Sequence, residues 1–453
     1  MTINCRRPHL SFVYNTANFM TNKYYLETTI CQLLLYSFEV FSDTRVKAIL
    51  GRKAVIVNIC NCSQSQSQGC AEEEFPAAGT HPEFFWMTQH RVWNFSAGPS
   101  AMPLEVLEKI QREMICHGSS GQSVLEMSHR SKEFIAIWDK AEKDLRDILG
   151  VPGHFKVLNL QGGATLQFAS IPLNMLGGGG SVNCDYLVTG AWSEKAAKEA
   201  AKYGMPSEVC NGKKSNFTSV PAVETWKFDN DARYTHYCDN ETVHGVEFSA
   251  VPESPSPLVA DMSSNFMSRS ISFEKHSVVY AGIQKNLGPA GNTIVLIDEK
   301  FLGKNELSIC PTYCSWKTAA DAGSMYNTPA CFSVYAMGVY LEHTKSKGGL
   351  HHWEQLAKHK STLLYDAIDH SDGFFTGPVA KDSRSRMNVP FQIRKGDEAL
   401  EKRFLDQASK RGLINLAGHR SVGGIRASLY NGMPLEGVHA LVDFMKDFQQ
   451  ENQ

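Results

Sequence analysis

The sequence predicts an α/β fold built on a mostly parallel sheet, with the functional site along one edge of that sheet. From Asn94 onward, six or so short apolar runs of strand length alternate with helical patterns, the order that gives parallel strands joined by helices. Each run is followed by polar or glycine-rich sequence at its C-terminal end, which is where open α/β sheets gather their ligands. The 453 residues are enough for two domains of about 100–200 residues each.

The first 86 residues differ in texture from the rest. They hold five of the twelve cysteines (Cys5, Cys31, Cys60, Cys62, Cys70), two short apolar runs (30–36 and 54–59) and the Ser/Gln tract between Cys62 and Cys70. Neither run approaches the roughly 18 apolar residues of a membrane span. Seven basic and seven acidic residues cancel, unlike the Arg-rich, acid-poor composition of a transit peptide. Met87 reads as a natural start, so residues 1–88 are expected to be a weakly ordered extension outside the functional enzyme, with an organelle address as the competing reading.

Asn94-Phe-Ser96-Ala-Gly98-Pro99 is a turn-forming loop leading into a helix with Val106, Ile110 and Met114 on one side. Phe134, Ile137, Trp138, Ala141, Leu145 and Ile148 mark a second amphipathic helix, stopped by Gly150. Between them lie His129 and Arg130, which on residue type alone decorate a helix entry. The strand Lys156–Leu160 breaks into Gln161-Gly-Gly-Ala164-Thr165, where small residues and the unpaired amides of a helix start can cradle a phosphate. The four glycines 177–180 read as a flexible connection. A further strand ends near Trp192, and Ser193 is expected to cap the alanine-rich helix after it. A Trp at a strand tip offers a flat face to a heteroaromatic ring, although packing is its commoner use.

The run 257–261 ends in Asp261, and the run 277–282 leads into Ile283-Gln284-Lys285-Asn286 with glycines on either side. A lysine on such a turn and an aspartate at the end of a neighbouring strand suit pyridoxal phosphate chemistry. The lysine can hold the aldehyde covalently, and the carboxylate can keep the pyridine nitrogen protonated. From this stretch alone, a plain strand, turn and solvated lysine account for the residues equally well. After Gly373 the pattern shifts to a smaller unit, in which Gly418-His419-Arg420 and Arg426 crowd cations among glycines as a concave anion site would; a solvated basic patch is the plainer alternative.

Composition narrows the partners. Lys+Arg 45 against Asp+Glu 47, with no long single-sign run, gives no electrostatic footprint for nucleic acid or a membrane surface. The seven cysteines after residue 86 stand singly, and Cys310 and Cys314 have no second pair behind them, so a reducing compartment is expected and zinc is not.

Taken in order, Asn94-Phe-Ser-Ala-Gly-Pro, Leu125-Glu-Met-Ser-His-Arg130, Gln161-Gly-Gly-Ala-Thr, Thr189-Gly-Ala-Trp192, Asn240-Glu-Thr-Val-His-Gly245, Asp261-Met-Ser-Ser, Gln284-Lys-Asn, Tyr326-Asn-Thr-Pro and the 418–426 loop closely resemble the phosphoserine aminotransferase family, over about residues 90–450. The resemblance implies a pyridoxal-phosphate-dependent transferase of fold type I. Its large domain (102–348) would carry a mostly parallel seven-stranded sheet, its small α/β domain would be C-terminal (349–453), and residues 89–101 would form a loop joining the small domain to the active site. It implies transfer of the amino group of L-glutamate to 3-phosphohydroxypyruvate, giving O-phospho-L-serine and 2-oxoglutarate in L-serine biosynthesis, by a cytoplasmic homodimer.

Carried over by position, the resemblance makes Lys285 the covalent anchor of pyridoxal 5′-phosphate and the proton-moving base. It makes Asp261 the partner of the ring nitrogen, Trp192 the stacking surface, and Thr242 the partner of the phenolate oxygen. Ala164, Thr165 and Gln284 would cup the cofactor phosphate, completed by Asn327 and Thr328 from the other subunit. Ser96, His129, Arg130, His419, Arg420 and Arg426 would bind substrate, with Arg426 on the α-carboxylate. Ile283, where alanine is common, and Ala330, in place of a second proline, depart from the family pattern without removing a chemical group. A related transaminase or desulfurase acting on other amino acids would keep the lysine and aspartate without needing the His-Arg pairs. A cofactor-free scaffold would need none of these residues.

Overall fold

A computed structural model describes residues 91–452, together with two short strands at 48–50 and 53–55. The chain divides into two units, 1–79 and 80–453. In the first, β1 (Ala48–Leu50) and β2 (Lys53–Val55) pair as an antiparallel hairpin. The apolar run 30–36 and the Cys62–Cys70 tract expected to be weakly ordered lie outside the described residues.

In the second unit, β3 (Trp93–Asn94) is followed by α1 (Leu104–Glu113) and α2 (Lys132–Leu149). Ser131 Oγ accepts from Phe134 N at the start of α2, and Gly150 ends it at φ 65°, a conformation that a side chain would disfavour. The strands β4 (Phe155–Leu160), β5 (Asn183–Val188), β6 (Met205–Asn211), β7 (Thr235–Cys238), β10 (Leu258–Asp261), β11 (Val278–Gly282) and β12 (Thr293–Asp298) form one seven-stranded sheet. β8 (Asn240–Glu241) and β9 (Val246–Glu247) make a small hairpin beside it. Sheet order is β4-β12-β11-β10-β7-β5-β6. All neighbours are parallel except β12, which runs antiparallel to both β11 and β4.

Burial on both faces explains the near-continuous apolar strands. Along β11, Val279 and Ala281 enter one core with Trp138 and Leu145 of α2, while Val278 and Tyr280 enter the opposite core with Phe168 and Ile171 of α3 (Gly163–Met175). The helix α4 spans Ala191–Ala200, so the expected start at Ser193 is wrong. Gly190 is the cap residue, and Trp192 lies in the first helical turn, beyond the strand that ends at Val188. The glycine run is also more than a loose connection. Gly177 N donates to Asn305 O at 2.7 Å, and a Cβ on Gly177 would stand 2.2 Å from Glu306 O, so that segment is packed.

Next come α5 (Trp316–Asp321), α6 (Cys331–Ser346) and α7 (Leu350–Asp369). Trp353 of α7 belongs to the core under the large sheet, whereas Leu364 and Ile368 belong to a separate core. That second core is closed by α8 (Glu398–Lys410), α9 (Leu435–Asn452) and the antiparallel sheet β13 (Phe375–Thr376), β14 (Asn388–Ile393) and β16 (Ile425–Ser428). The short β15 (Leu413–Ile414) pairs with β3, which brings Phe95 into the same core. The loop after β3 is thereby tied to the C-terminal elements at one end while its other end enters the cleft. Among the described residues, no helix is long and apolar enough to cross a membrane, and no group of three or more His, Cys, Asp or Glu side chains is placed to hold a metal ion.

Candidate active site

A cavity of about 330 Å³ opens at the C-terminal ends of β5, β7, β10 and β11, where the segments following those strands converge. Its floor is Lys285, on the turn after β11. Lys285 Nζ donates to Thr242 Oγ1 at 2.7 Å and stands 5.7 Å from the centre of the Trp192 ring. Burial pushes the ammonium below the ordinary lysine range, while Asp261, Cys238 and Glu241 pull it back and Arg426 adds to the depression. An amine that gives up its proton more readily is what a proton-moving base requires.

Asp261 is the last residue of β10, in register with Tyr280 on one side and Cys238 on the other. Ser263 N donates to its Oδ1 at 2.9 Å. Burial raises this carboxyl, against the pull of Ser263 and of Lys285. The carboxyl lines the cavity, with Ser263 and Lys285 favouring its ionised form and burial opposing them.

At the far wall, Gly163, Ala164 and Thr165 open α3. The first helical bond is Leu166 N to Gly162 O, so three amides remain outside the ladder and give the cavity an anion cup. Gln284 lines the same space. Gly98 contributes from the N-terminal loop at φ +129°, and a Cβ there would come within 3.1 Å of Lys285 Cγ. Ser100 fastens this loop: its hydroxyl donates to Lys285 O, and its N donates to Gln284 O at 3.0 Å.

An arginine and a histidine also line the cavity. Arg426 of β16 donates through Nη1 to Thr242 O at 3.4 Å, and its buried Nε has no partner. His419 also lines the cavity; its imidazole is pushed down by burial and by nearby Arg426, Lys195 and Arg420.

The fold therefore gathers Ala164, Thr165, Trp192, Thr242, Asp261, Gln284, Lys285, His419 and Arg426 into one cavity. Ser96, His129, Arg130, Asn327, Thr328 and Arg420 are not among its lining residues. Ser96 stays within its own loop, where its Oγ accepts from Gly98 N at 3.4 Å. Arg130 is exposed, and the buried Nε2 of His129 has no partner. Asn327 and Thr328 are exposed, and Asn327 Nδ2 donates to Gln161 Oε1 at 2.7 Å.

Several site residues escape sequence reasoning. Asn240, Ser263, Ser264 and Cys238 line the cavity. Asn240 is tied to Ser264 Oγ at 2.7 Å and to Asn388 Oδ1 at 2.9 Å. Glu241, fully buried, accepts from the first turn of α4. The available signal was a run of polar residues, Asp239 to Thr242, directly after the strand Thr235–Cys238, because buried polar side chains must find partners.

The chemistry of this donor set fits pyridoxal phosphate: an amine, a carboxylate, an aromatic face and an amide-lined anion cup share one cavity of suitable size. Comparison with known proteins agrees. The family model described as aminotransferase class-V matches residues 92–441. A phosphoserine aminotransferase of Azotobacter vinelandii is 49% identical over 363 residues, covering 80% of this chain and 99% of the relative. Phosphoserine aminotransferase 2, chloroplastic, of Arabidopsis thaliana is 49% identical over 365 residues, covering 80% and 85%. The crystal structure of PLP-bound phosphoserine aminotransferase from Trichomonas vaginalis superposes with a TM-score of 0.76 at 41% identity, covering 79% of this chain and all of that one. The chain belongs to the class-V aminotransferase family, among its phosphoserine aminotransferases.

Proposed function

We propose that the chain transfers the amino group of L-glutamate to 3-phosphohydroxypyruvate, giving O-phospho-L-serine and 2-oxoglutarate in L-serine biosynthesis. The observation that carries this reading is the meeting of Lys285, Asp261 and the α3 amide cup in one cavity that Arg426 and His419 also line. Lys285 would hold pyridoxal phosphate there, and the cofactor would supply a cationic ring able to accept electrons from the substrate's α-carbon. Once the substrate's amino group displaces Lys285 from the cofactor, its freed Nζ would carry the proton to and from that carbon, helped by the burial that lowers its proton affinity. Asp261 would hold the positive charge on the ring nitrogen, and the Trp192 face would orient the ring.

Ala164 N, Thr165 N and Gln284 hold the cofactor phosphate as a helix-start anion site does. Arg426, with a planar fork and an unpartnered Nε, suits the substrate α-carboxylate. His129, Arg130, His419 and Arg420 serve the substrate phosphate and, in the other half-reaction, the distal carboxylate of glutamate, with Ser96 nearby. Flexible cations suit that double use better than a shaped apolar pocket would. The working unit is a homodimer in which Asn327 and Thr328 complete the partner's site. Residues 102–348 form the large domain and 349–453 the small one, joined by the loop 89–101, and the extension 1–88 is dispensable. Seven free cysteines among the described residues suit the reducing cytoplasm.

The test is a coupled assay with glutamate on the native protein and on Arg420→Ala. Turnover of 3-phosphohydroxypyruvate with KM raised about tenfold or more in the variant, and cofactor binding unchanged, is the expected result, since a charged hydrogen bond is worth about 1.5–3 kcal/mol. Equal turnover of unphosphorylated keto acids by the native protein would overturn the assignment.

A further inference from the structure

The start of α4 is capped by side chains that come from elsewhere in the chain. Gly190, the cap residue, has extended backbone (φ −178°, ψ −166°) and offers no side chain. The first three amides of the helix are instead taken up by two residues about 50 positions later. Ala191 N donates to His244 Nδ1 at 3.3 Å, Trp192 N to Glu241 Oε2 at 3.0 Å, and Ser193 N to Glu241 Oε1 at 2.8 Å. Ser193 Oγ adds a fourth bond, donating to Glu241 Oε1 at 2.6 Å, and itself accepts from Thr189 N and Gly190 N at 3.0 and 3.1 Å.

Burial raises the Glu241 carboxyl and the nearby Asp261 adds to that, while the bonds from Ser193 and Trp192 favour its ionised form. His244 fits the same scheme: burial pushes its imidazole down to about 4, which leaves Nδ1 free to accept. The clasp leaves no slack, because a Cβ on Gly190 would lie 2.3 Å from Glu241 Cδ. Gly190 and Glu241 therefore belong to one device joining the segment after β5 to the β8–β9 hairpin.

What the device joins matters for the reaction. One arm carries Trp192, and the residue after Glu241 is Thr242, which accepts from Lys285 Nζ. Glu241 itself is absent from the cavity lining. We propose that Glu241 is a positioning residue which fixes the Trp192 ring relative to the Lys285–Thr242 pair by clamping the backbone amides of Trp192 and Ser193. This rests on the reading that the cofactor ring lies against Trp192.

The experiment uses the cofactor-loaded enzyme with Glu241→Gln, Ser193→Ala and Trp192→Phe, reading the circular dichroism of the bound cofactor's visible absorption band, the cofactor dissociation constant, and kcat and KM separately. In Glu241→Gln one carboxylate oxygen becomes an NH₂ facing an amide donor. The expected result is a visible dichroism reduced in the same sense as in Trp192→Phe, a cofactor dissociation constant raised about tenfold, kcat lowered about tenfold, and KM for the phosphorylated substrate changed less than threefold. Ser193→Ala, which removes one donor and keeps the carboxylate, moves the same readouts in the same direction by a smaller factor, and decides the matter where Glu241→Gln does not fold. If Trp192→Phe leaves the dichroism native, the stacking reading falls and the proposal with it. If Trp192→Phe changes the dichroism while the folded Glu241 or Ser193 variants lose only thermal stability, with native dichroism and kcat, Glu241 is a structural cap and the proposal alone is overturned.

Discussion

Lys285 Nζ donates to Thr242 Oγ1 at 2.7 Å, while Asp261, the negative charge that acts most strongly on the lysine, sits at the end of the neighbouring strand. The amine is thus held by a neutral hydroxyl rather than by a carboxylate. A direct ion pair would hold the proton on the nitrogen; a hydroxyl accepts a hydrogen bond from the amine in either protonation state. Burial then decides the balance, and it favours the neutral form.

The first prediction follows from that balance. In cofactor-free protein, the reactivity of Lys285 toward an amine-acylating reagent, located by peptide mass mapping, rises with pH around a midpoint below that of an exposed lysine. Asp261→Asn removes a charge that supports the ammonium, so the midpoint moves down. Arg426→Ala removes a like charge, so it moves up. A native midpoint at or above that of exposed lysines would contradict the reading.

A second lysine makes a prediction about stability. Lys360 in α7 is 1% exposed, and its Nζ donates to Tyr430 O at 2.7 Å and Met433 O at 2.9 Å. The turn it grips reaches the site, since Asn431 N donates to Asn286 Oδ1 at 2.9 Å, beside Lys285. Burial pushes Lys360 down to about 7, whereas an unfolded lysine titrates near 10.4. Between those values the unfolded chain binds more protons, so the contribution of Lys360 to stability rises with pH, by at most about 1.4 kcal/mol per unit. The two carbonyl acceptors favour the ammonium and reduce that slope. Chemical unfolding of the native protein and of Lys360→Met at pH 7.5 and 9.5 is therefore expected to show the difference between them growing in favour of the native protein. A difference independent of pH would show that Lys360 titrates alike in both states.

Asp261 and Lys285 were legible in the sequence because one ends an apolar strand and the other follows shortly after the next, and strand ends are local signals. The glycine turn before Ala164 and Thr165 was legible for the same reason. The direction of β12 was not, since Thr293–Asp298 is apolar on both faces and reads the same whichever way it runs. Nor was the start of α4: Ser193 looks like a cap residue, but the caps in use come from Glu241 and His244, and only the folded sheet brings them together. The position of Asn327 and Thr328 relative to the cavity is equally non-local.

Those two residues carry the last prediction. Asn327 and Thr328 are exposed beside the 55%-exposed Tyr326, and they do not line the cavity of their own chain. In the proposed homodimer they complete the partner's site, so loss of Lys285 and loss of Asn327 and Thr328 are complementary defects. In a heterodimer of Lys285→Ala with the double variant N327A/T328A, one site has both defects and the other has neither. Each parent dimer alone is expected to be inactive or strongly impaired. Co-expression under two affinity tags and isolation of doubly tagged dimers should restore about half of native activity, the share of one intact site in a twofold assembly. Heterodimers no more active than the better parent would place Asn327 and Thr328 outside the partner's site. A native protein that sediments as a fully active monomer would remove the shared site altogether.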